Sequence, residues 1–396
     1  MVLELMQAYH RAHPEHTRLE VLGRSLQGRP ILALAIARDL EPDDPRPAVL
    51  LNGGHHGDEP TSTDIALDAI DQLTRALDDP RHPHARFTRD LVTWVVPQVN
   101  PDGARAFLEH TWRTGRKNGR DHDHDGARGR LEGVDLNRNY PFRFADLPGG
   151  SSGEPLHDKY RGASAASEPE TRAMVRLADR TVPAASISYH SGTVCVLAPY
   201  TIDETPDPRP NDAWEIGREV TSALPEHPEG RPFRLRRNLY AVDGTDQDWL
   251  RHEHGTVALL VEAARFAPRD PCARRAIIET NRPSWVALLA RVLDGPTIAG
   301  RVVDAAGAPA AGVEVHLRDQ DLRAGESWRT RADGRFVRFP LKKGRVTLVV
   351  RHPDHPEHDV TVAVKKGRAT SLEIALPYTL TSSSSPSSSS AYHASP

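Results

Sequence analysis

Two side chains in the run AVLLNGGHHGDEP carry the first chemistry, because His56 and Glu59 set an imidazole and a carboxylate three residues apart, directly after an apolar stretch. Zinc takes neutral imidazoles and ionised carboxylates, and a catalytic zinc has three protein ligands with one position open. HxxE supplies two, so a third must come from elsewhere. His55 competes with His56, but only His56 has the three-residue spacing to Glu59. Alone the pair is a weak signal, since His and Glu meet by chance in any chain that holds many of each.

Two distant residues strengthen it. His190 ends the apolar stretch AASISYH and runs into Ser191-Gly192; taken singly it reads as a structural histidine. Glu262 stands in VALLVEAARF, among aliphatic residues where an ionisable group is expensive to bury without a role. Burial raises a carboxyl pKa, which suits a general base working near neutral pH. The elements that position these groups follow from pattern. Ala48 to Leu51 reads as a short buried strand broken by Gly53 and Gly54, and Pro60 with TSTDIALDAIDQLTRAL starts a helix with apolar residues at helical spacing. The pair therefore lies at a strand's carboxyl end, where open α/β sheets place their sites.

Further motifs follow in order: VLGRSLQGRPILALAIA, HHGDE, VPQVNPDG, GRKN with GVDLNRNY, YRGASAASEPET, HSGTVCVLAPY, and YAVDGTDQDW before VALLVEAARF. In these motifs the chain resembles the zinc metallocarboxypeptidases of the carboxypeptidase A/B and N/E type, over essentially all of residues 1 to 295. The resemblance implies one zinc per chain on His56, Glu59 and His190, and Glu262 as the base that takes a proton from the attacking water. It makes Arg116 the oxyanion partner, with Arg113 close by as the other candidate. Asn137 and Arg138 would grip the substrate's terminal carboxylate, since a guanidinium fork binds a carboxylate bidentately. Tyr240 would close over the bound C-terminus, Gln247 and Asp246 would shape the side-chain pocket, and Asp135 would orient His56. Asp58 stands where digestive relatives often carry an arginine, so that outer contact is expected to be missing.

The implied fold is α/β: a mixed twisted sheet with helices on both faces, followed by a small all-β sandwich. Near Gly295 the texture changes to short alternating segments, IAGRVVD, VEVHLRD, GRFVRFP, RVTLVVRHP, HDVTVAVKK and ATSLEIALP, separated by Gly, Pro and Asp turns. They predict an antiparallel sandwich, similar to the transthyretin-like (carboxypeptidase regulatory-like) module of the N/E branch, which offers contact to the catalytic domain or to another protein. The expected division is 1–295 catalytic, 296–378 sandwich, and 379–396 a Ser-rich disordered tail.

Other features bound the reading. The 396 residues exceed one ordinary core, and a net charge of −3 gives no sign of nucleic-acid binding. No apolar run reaches transmembrane length and no leader is visible, so an intact product would be cytoplasmic, and secreted or periplasmic if a leader has been removed. Cys195 reads as a buried thiol, and with Cys272 it cannot make a disulfide framework. His82, His84, His252, His254, His352, His355 and His358 are expected to be exposed, and Glu253 to be a solvated loop residue. Asp121, Asp123, Asp125, Gly126 and Glu132 in DHDHDGARGRLE have the spacing of a calcium loop, although Arg128 replaces the usual aliphatic residue at position eight and the flanks are not clearly helical. The alternative there is a solvated acidic insertion.

The sequence therefore predicts a zinc exopeptidase acting on peptides with a free C-terminal carboxylate. Asp243 and Asp246 beside neutral Gln247 favour basic or amine-bearing C-terminal residues, although Thr201 stands where the N/E branch has an aspartate. A cell-wall peptide peptidase or amidase on the same scaffold, a deacylase of acylated amino acids and an inactive binding homologue are the alternatives.

Overall fold

A computed structural model describes residues 2–109, 115–126 and 129–380. Eight strands form the first sheet: β1 (Thr17–Arg24), β2 (Pro30–Ile36), β3 (Ala48–Gly53), β4 (Val92–Val96), β5 (Ala185–His190), β6 (Thr193–Leu197), β7 (Leu235–Arg236) and β8 (Val257–Ala264). Their order is β1-β2-β4-β3-β5-β8-β6-β7. The central strands β4, β3, β5 and β8 run parallel, while β2 and β6 pair antiparallel with β4 and β8. Both faces of the parallel strands are covered, which is why these segments are apolar throughout rather than alternating.

Strand period two sorts the core. Val49, Leu51, Ile187, Tyr189, Leu259 and Val261 pack on one face with Ile65, Ile70 and Leu73 of the helix Pro60–Asp78 and with Trp285 and Leu288 of the helix Pro271–Asp294. Ala48, Leu50 and Ala258 face the other way, toward Met174 and Leu177 of the helix Pro169–Thr181 and Trp249 and Leu250 of the helix Asp246–His254. Each such buried aliphatic side chain stabilises the fold by about 2 kcal/mol. Helices on both faces of a mixed sheet are thus what the sequence predicts. The first amphipathic segment is the helix Val2–Ala12.

The six alternating segments after Gly295 are strands: β9 (Ile298–Val303), β10 (Glu314–Leu317), β11 (Arg335–Arg338), β12 (Gly344–His352), β13 (His355–Val364) and β14 (Thr370–Ala375). They form two three-stranded sheets, β10-β12-β13 and β11-β9-β14, with Val315, Leu317, Leu348, Val350 and Ile374 in the shared core. One expectation needs correcting: β14 pairs with β9 in parallel. Because β13 lies in the opposite sheet, the chain crosses the sandwich before β14 and enters beside β9 from the same end. Among the described residues no helix is long and apolar enough to cross a membrane. The Ser-rich tail from Thr381 onward lies outside the described residues, as do Arg113 and Arg128.

Candidate active site

Parallel strands deliver their carboxyl ends to one edge of the sheet, and there three neighbours gather the polar groups. His56 follows β3, His190 ends β5, and Glu262 on β8 is the direct register partner of His190. Glu59 occupies the N-cap of the helix Pro60–Asp78, with Pro60 opening the first turn. Gly57 makes the turn between the two possible, since a Cβ there would lie 2.0 Å from the backbone N of Ala104.

The donor atoms converge. His56 Nδ1 lies 2.8 Å from Glu59 Oε1 and 3.2 Å from His190 Nδ1, and His190 Nδ1 is 3.2 Å from Glu59 Oε2. Tetrahedral zinc with bonds of about 2.0–2.1 Å holds its ligand atoms roughly 3.3 Å apart, so these donors stand within about half an ångström of that spacing. Their outer partners set the tautomers. Asp135 Oδ1 takes His56 Nε2 at 3.1 Å, and Ser188 Oγ, which donates to Asn52 Oδ1, takes the proton of His190 Nε2 at 3.2 Å. Both Nδ1 atoms therefore turn lone pairs toward each other and toward a carboxylate, an arrangement that calls for a cation between them. The charge of the pocket points the same way, because without a metal it draws a proton onto His56 where a cation would otherwise sit. Burial and Arg116 oppose a positive His56, but Glu59 and Asp135 outweigh them and push its pKa up to about 9. The residues present suit a zinc ion.

Beside this cluster lies a cleft lined by Asn137, Arg138, Leu197, Thr201, Tyr240, Gln247, Leu260 and Glu262 among others. Glu262 is half-buried as a residue, yet its Oε2 is enclosed without a hydrogen-bond partner. Burial first, then the neighbouring Glu59, raises its pKa. At the far side Arg138 is buried with Nε unpartnered, and its Nη2 donates to Tyr240 Oη at 3.4 Å. Asn137 Oδ1 accepts from Asp246 N at 2.9 Å, which leaves its Nδ2 for a ligand. Arg116 is held by Asp135 Oδ2 through Nε and Nη2 at 3.2 and 2.8 Å, with Nη1 3.3 Å from His56 Nδ1.

The zinc carboxypeptidase family model matches residues 2–283. The chain belongs to that family. A second model, the carboxypeptidase regulatory-like domain, matches residues 297–377. Metallocarboxypeptidase A of Trichophyton tonsurans is 30% identical over 259 residues, 62% of this chain and 57% of that protein. This family member thus spans less than two thirds of the length of that relative. Human carboxypeptidase D is 25% identical over 433 residues, covering 96% of this chain and 29% of that one. In fold, the crystal structure of carboxypeptidase A from Helicoverpa armigera superposes with a TM-score of 0.61 at 22% identity, over 72% of this chain and 70% of that one.

Several sequence expectations are corrected by the geometry. Asp246 does not line the cleft: both carboxylate oxygens are buried, and Oδ2 lies 4.0 Å from His55 Nε2. Asp243 is also buried, and its Oδ2 accepts from Leu147 N at 3.1 Å. His55, the competing candidate that the spacing disfavoured, needs no correction: its Nε2 is 2.9 Å from Tyr140 Oη, and burial lowers its pKa to about 4. None of the seven histidines expected outside is exposed. His254 and His352 are buried and the rest half-buried, because flat rings pack on neighbours: His252 stacks on Phe142 at 4.1 Å, and His84 meets Phe87 and Trp285. Glu253 is exposed, but on a helix.

Cys195 is a buried free thiol on β6, paired in register with Glu262. In the acidic loop, Asp121, Asp123 and Glu132 cluster, whereas exposed Asp125 stands outside the group, and among the described residues no helix directly flanks the loop as in an EF-hand. The sequence reading missed Ser188. It lies two residues before His190 on β5, hence on the same face of the strand, and that period is the signal that could have found it.

Proposed function

We propose that this protein is a zinc-dependent exopeptidase that removes the C-terminal residue of peptides. One observation carries the reading: His56 and His190 of the cluster with Glu59 line a single cleft together with Glu262, whose Oε2 is buried and unpartnered, and Arg138, whose Nε is buried and unpartnered. When bound, one zinc per chain supplies Lewis-acid polarisation of the scissile carbonyl and acidifies a water. The chain's own residues do the rest. Glu262 accepts the attacking water's proton and returns it to the leaving amine, a role suited to a carboxyl whose pKa burial raises. Arg116, kept in place by Asp135, neutralises the charge that develops on the carbonyl oxygen. Arg138 and Asn137 Nδ2 receive the terminal carboxylate, and exposed Tyr240 covers it from the cleft mouth.

Selectivity rests on a footing different from loop acids. Gln247 uses Nε2 on Thr201 Oγ1 at 3.0 Å, while its buried Oε1 has no partner. An unsatisfied acceptor favours a side chain that brings an N–H donor, so Lys, Arg or another amine-bearing residue is preferred over Phe or Leu. The experiment is kcat/KM on matched peptides ending in Lys, Arg, Leu and Phe, with free and amidated C-termini. Release only from free C-termini, fastest for Lys or Arg, is expected; efficient cleavage of the amides overturns the exopeptidase reading.

The Asp121–Glu132 loop is the second metal question. Asp121 accepts from His124 N and Gly126 N, and Glu132 accepts from His122 N, Asp123 N and Gly129 N. A calcium ion has to share oxygens already engaged, which places any site in the weak class, about 0.1–1 mM.

A further inference from the structure

Part of the seam between the sandwich and the catalytic domain is residues 320–328, which meet the elements that build the side-chain pocket, while Phe339 packs into the main core elsewhere. Tyr200 Oη donates to Glu326 Oε1 at 2.8 Å, and Glu326 Oε2 accepts from Ala324 N at 2.8 Å. Gln320 Nε2 donates to Asp212 Oδ1 at 2.8 Å, and Asp212 is ion-paired with fully buried Arg251. Trp328 Nε1 donates to Arg251 O at 3.0 Å, and its ring lies 4.4 Å from the Arg251 guanidinium. Gly255 accommodates that ring: at φ +71° it has no Cβ, and one placed there would fall 2.6 Å from Trp328 Cδ2.

Both gripped elements end in the cleft. Tyr200 precedes Thr201, and Arg251 shares its helix with Gln247. The two pocket residues are themselves joined, by Gln247 Nε2 to Thr201 Oγ1 and through Asp248, which accepts from Thr201 N at 2.8 Å and from Thr245 Oγ1 at 2.8 Å. A shift of Tyr200 by a few tenths of an ångström therefore moves Thr201 and, with it, the acceptor of Gln247.

We propose that the sandwich is a specificity element of the enzyme, with Glu326 as a positioning residue that acts through Tyr200 on the Thr201–Gln247 pocket. A buried hydrogen bond to a carboxylate is directional and expensive to leave unmade, so it fixes the tyrosine rather than merely covering it. The inference rests on the reading of this cleft as the side-chain pocket of an exopeptidase.

The experiment compares Tyr200→Phe, Glu326→Ala and the double variant in the full chain, with Val350→Ala in the sandwich core as a control for lost stability. The kcat/KM ratio of peptides ending in Lys and Leu should fall by about three- to tenfold in both single variants. The double variant should fall no further, because one bond is removed twice. Zinc content should stay at the wild-type level, and Val350→Ala should keep the wild-type ratio while lowering the melting temperature. Hydrogen–deuterium exchange, which needs no activity, should quicken across residues 197–205 in the two variants and not in the control. An unchanged ratio in Tyr200→Phe and Glu326→Ala, or one moved equally by Val350→Ala, overturns the proposal. A wild type without carboxypeptidase activity instead defeats the functional reading and the specificity claim with it, while exchange still reports the link between the domains.

Discussion

The cluster of His56, Glu59 and His190 and the loop of Asp121, Asp123 and Glu132 each gather three groups of metal-binding type, with donor atoms within 4.8 Å of one another. They differ in what those atoms already do. In the first, outer partners occupy the far side of each imidazole and leave lone pairs facing lone pairs in a buried pocket. In the second, backbone N–H groups fill the carboxylates, and two of the three acids reach solvent. Ligand spacing is the same kind of signal in both places. What separates them is unmet bonding demand, which burial makes costly and which a cation removes.

The largest expected effect falls on the ligands. His190→Ala or His56→Ala should abolish stoichiometric zinc, measured by metal analysis of the purified protein, and lower kcat/KM by at least about a thousandfold, because Lewis-acid assistance contributes several kcal/mol to the barrier. Full occupancy in either variant would mean the donors are misassigned. Next comes Glu262→Gln, where an amide cannot accept a proton; zinc should remain while kcat falls about a hundredfold or more. A rate near that of the wild type would point to another base.

A smaller effect tests the outer partners. Ser188→Ala removes the acceptor that holds His190 Nε2, and zinc affinity, read by competition with a chelator, should weaken by roughly ten- to a hundredfold. An unchanged affinity would sink the tautomer argument. Least is expected at the acidic loop. Calcium at ~1 mM should raise the melting temperature of the metal-stripped protein by no more than the equivalent of about 1.4 kcal/mol, against a much larger rise on returning zinc. A calcium response equal to that of zinc would erase the distinction between the two clusters.

Much of this was legible in the sequence. Apolar runs of strand length fixed β3, β5 and β8, and once they lie parallel their ends must bring His56, His190 and Glu262 together. All six sandwich strands follow from alternation and turn residues. The buried position of Asp246 did not, because a helix start puts adjacent residues on different faces and only the packing shows that Gln247, not Asp246, turns to the cleft. The histidines expected outside were misjudged for a related reason. Pattern counts them as polar, whereas His252 and His84 bury ring faces against aromatic neighbours. Nothing local in GESWRT marks Glu326 and Trp328 as partners of residues more than seventy positions earlier.

Gly255 carries a consequence for ancestry and engineering. A side chain at 255 and an indole at 328 cannot share the same space, so 255 cannot gain a side chain while the indole stays. The two domains form a matched pair rather than interchangeable parts. Grafting a foreign sandwich without the indole onto this catalytic unit would leave an empty slot over Arg251, and placing this sandwich on a catalytic unit with a side chain at 255 would produce a collision.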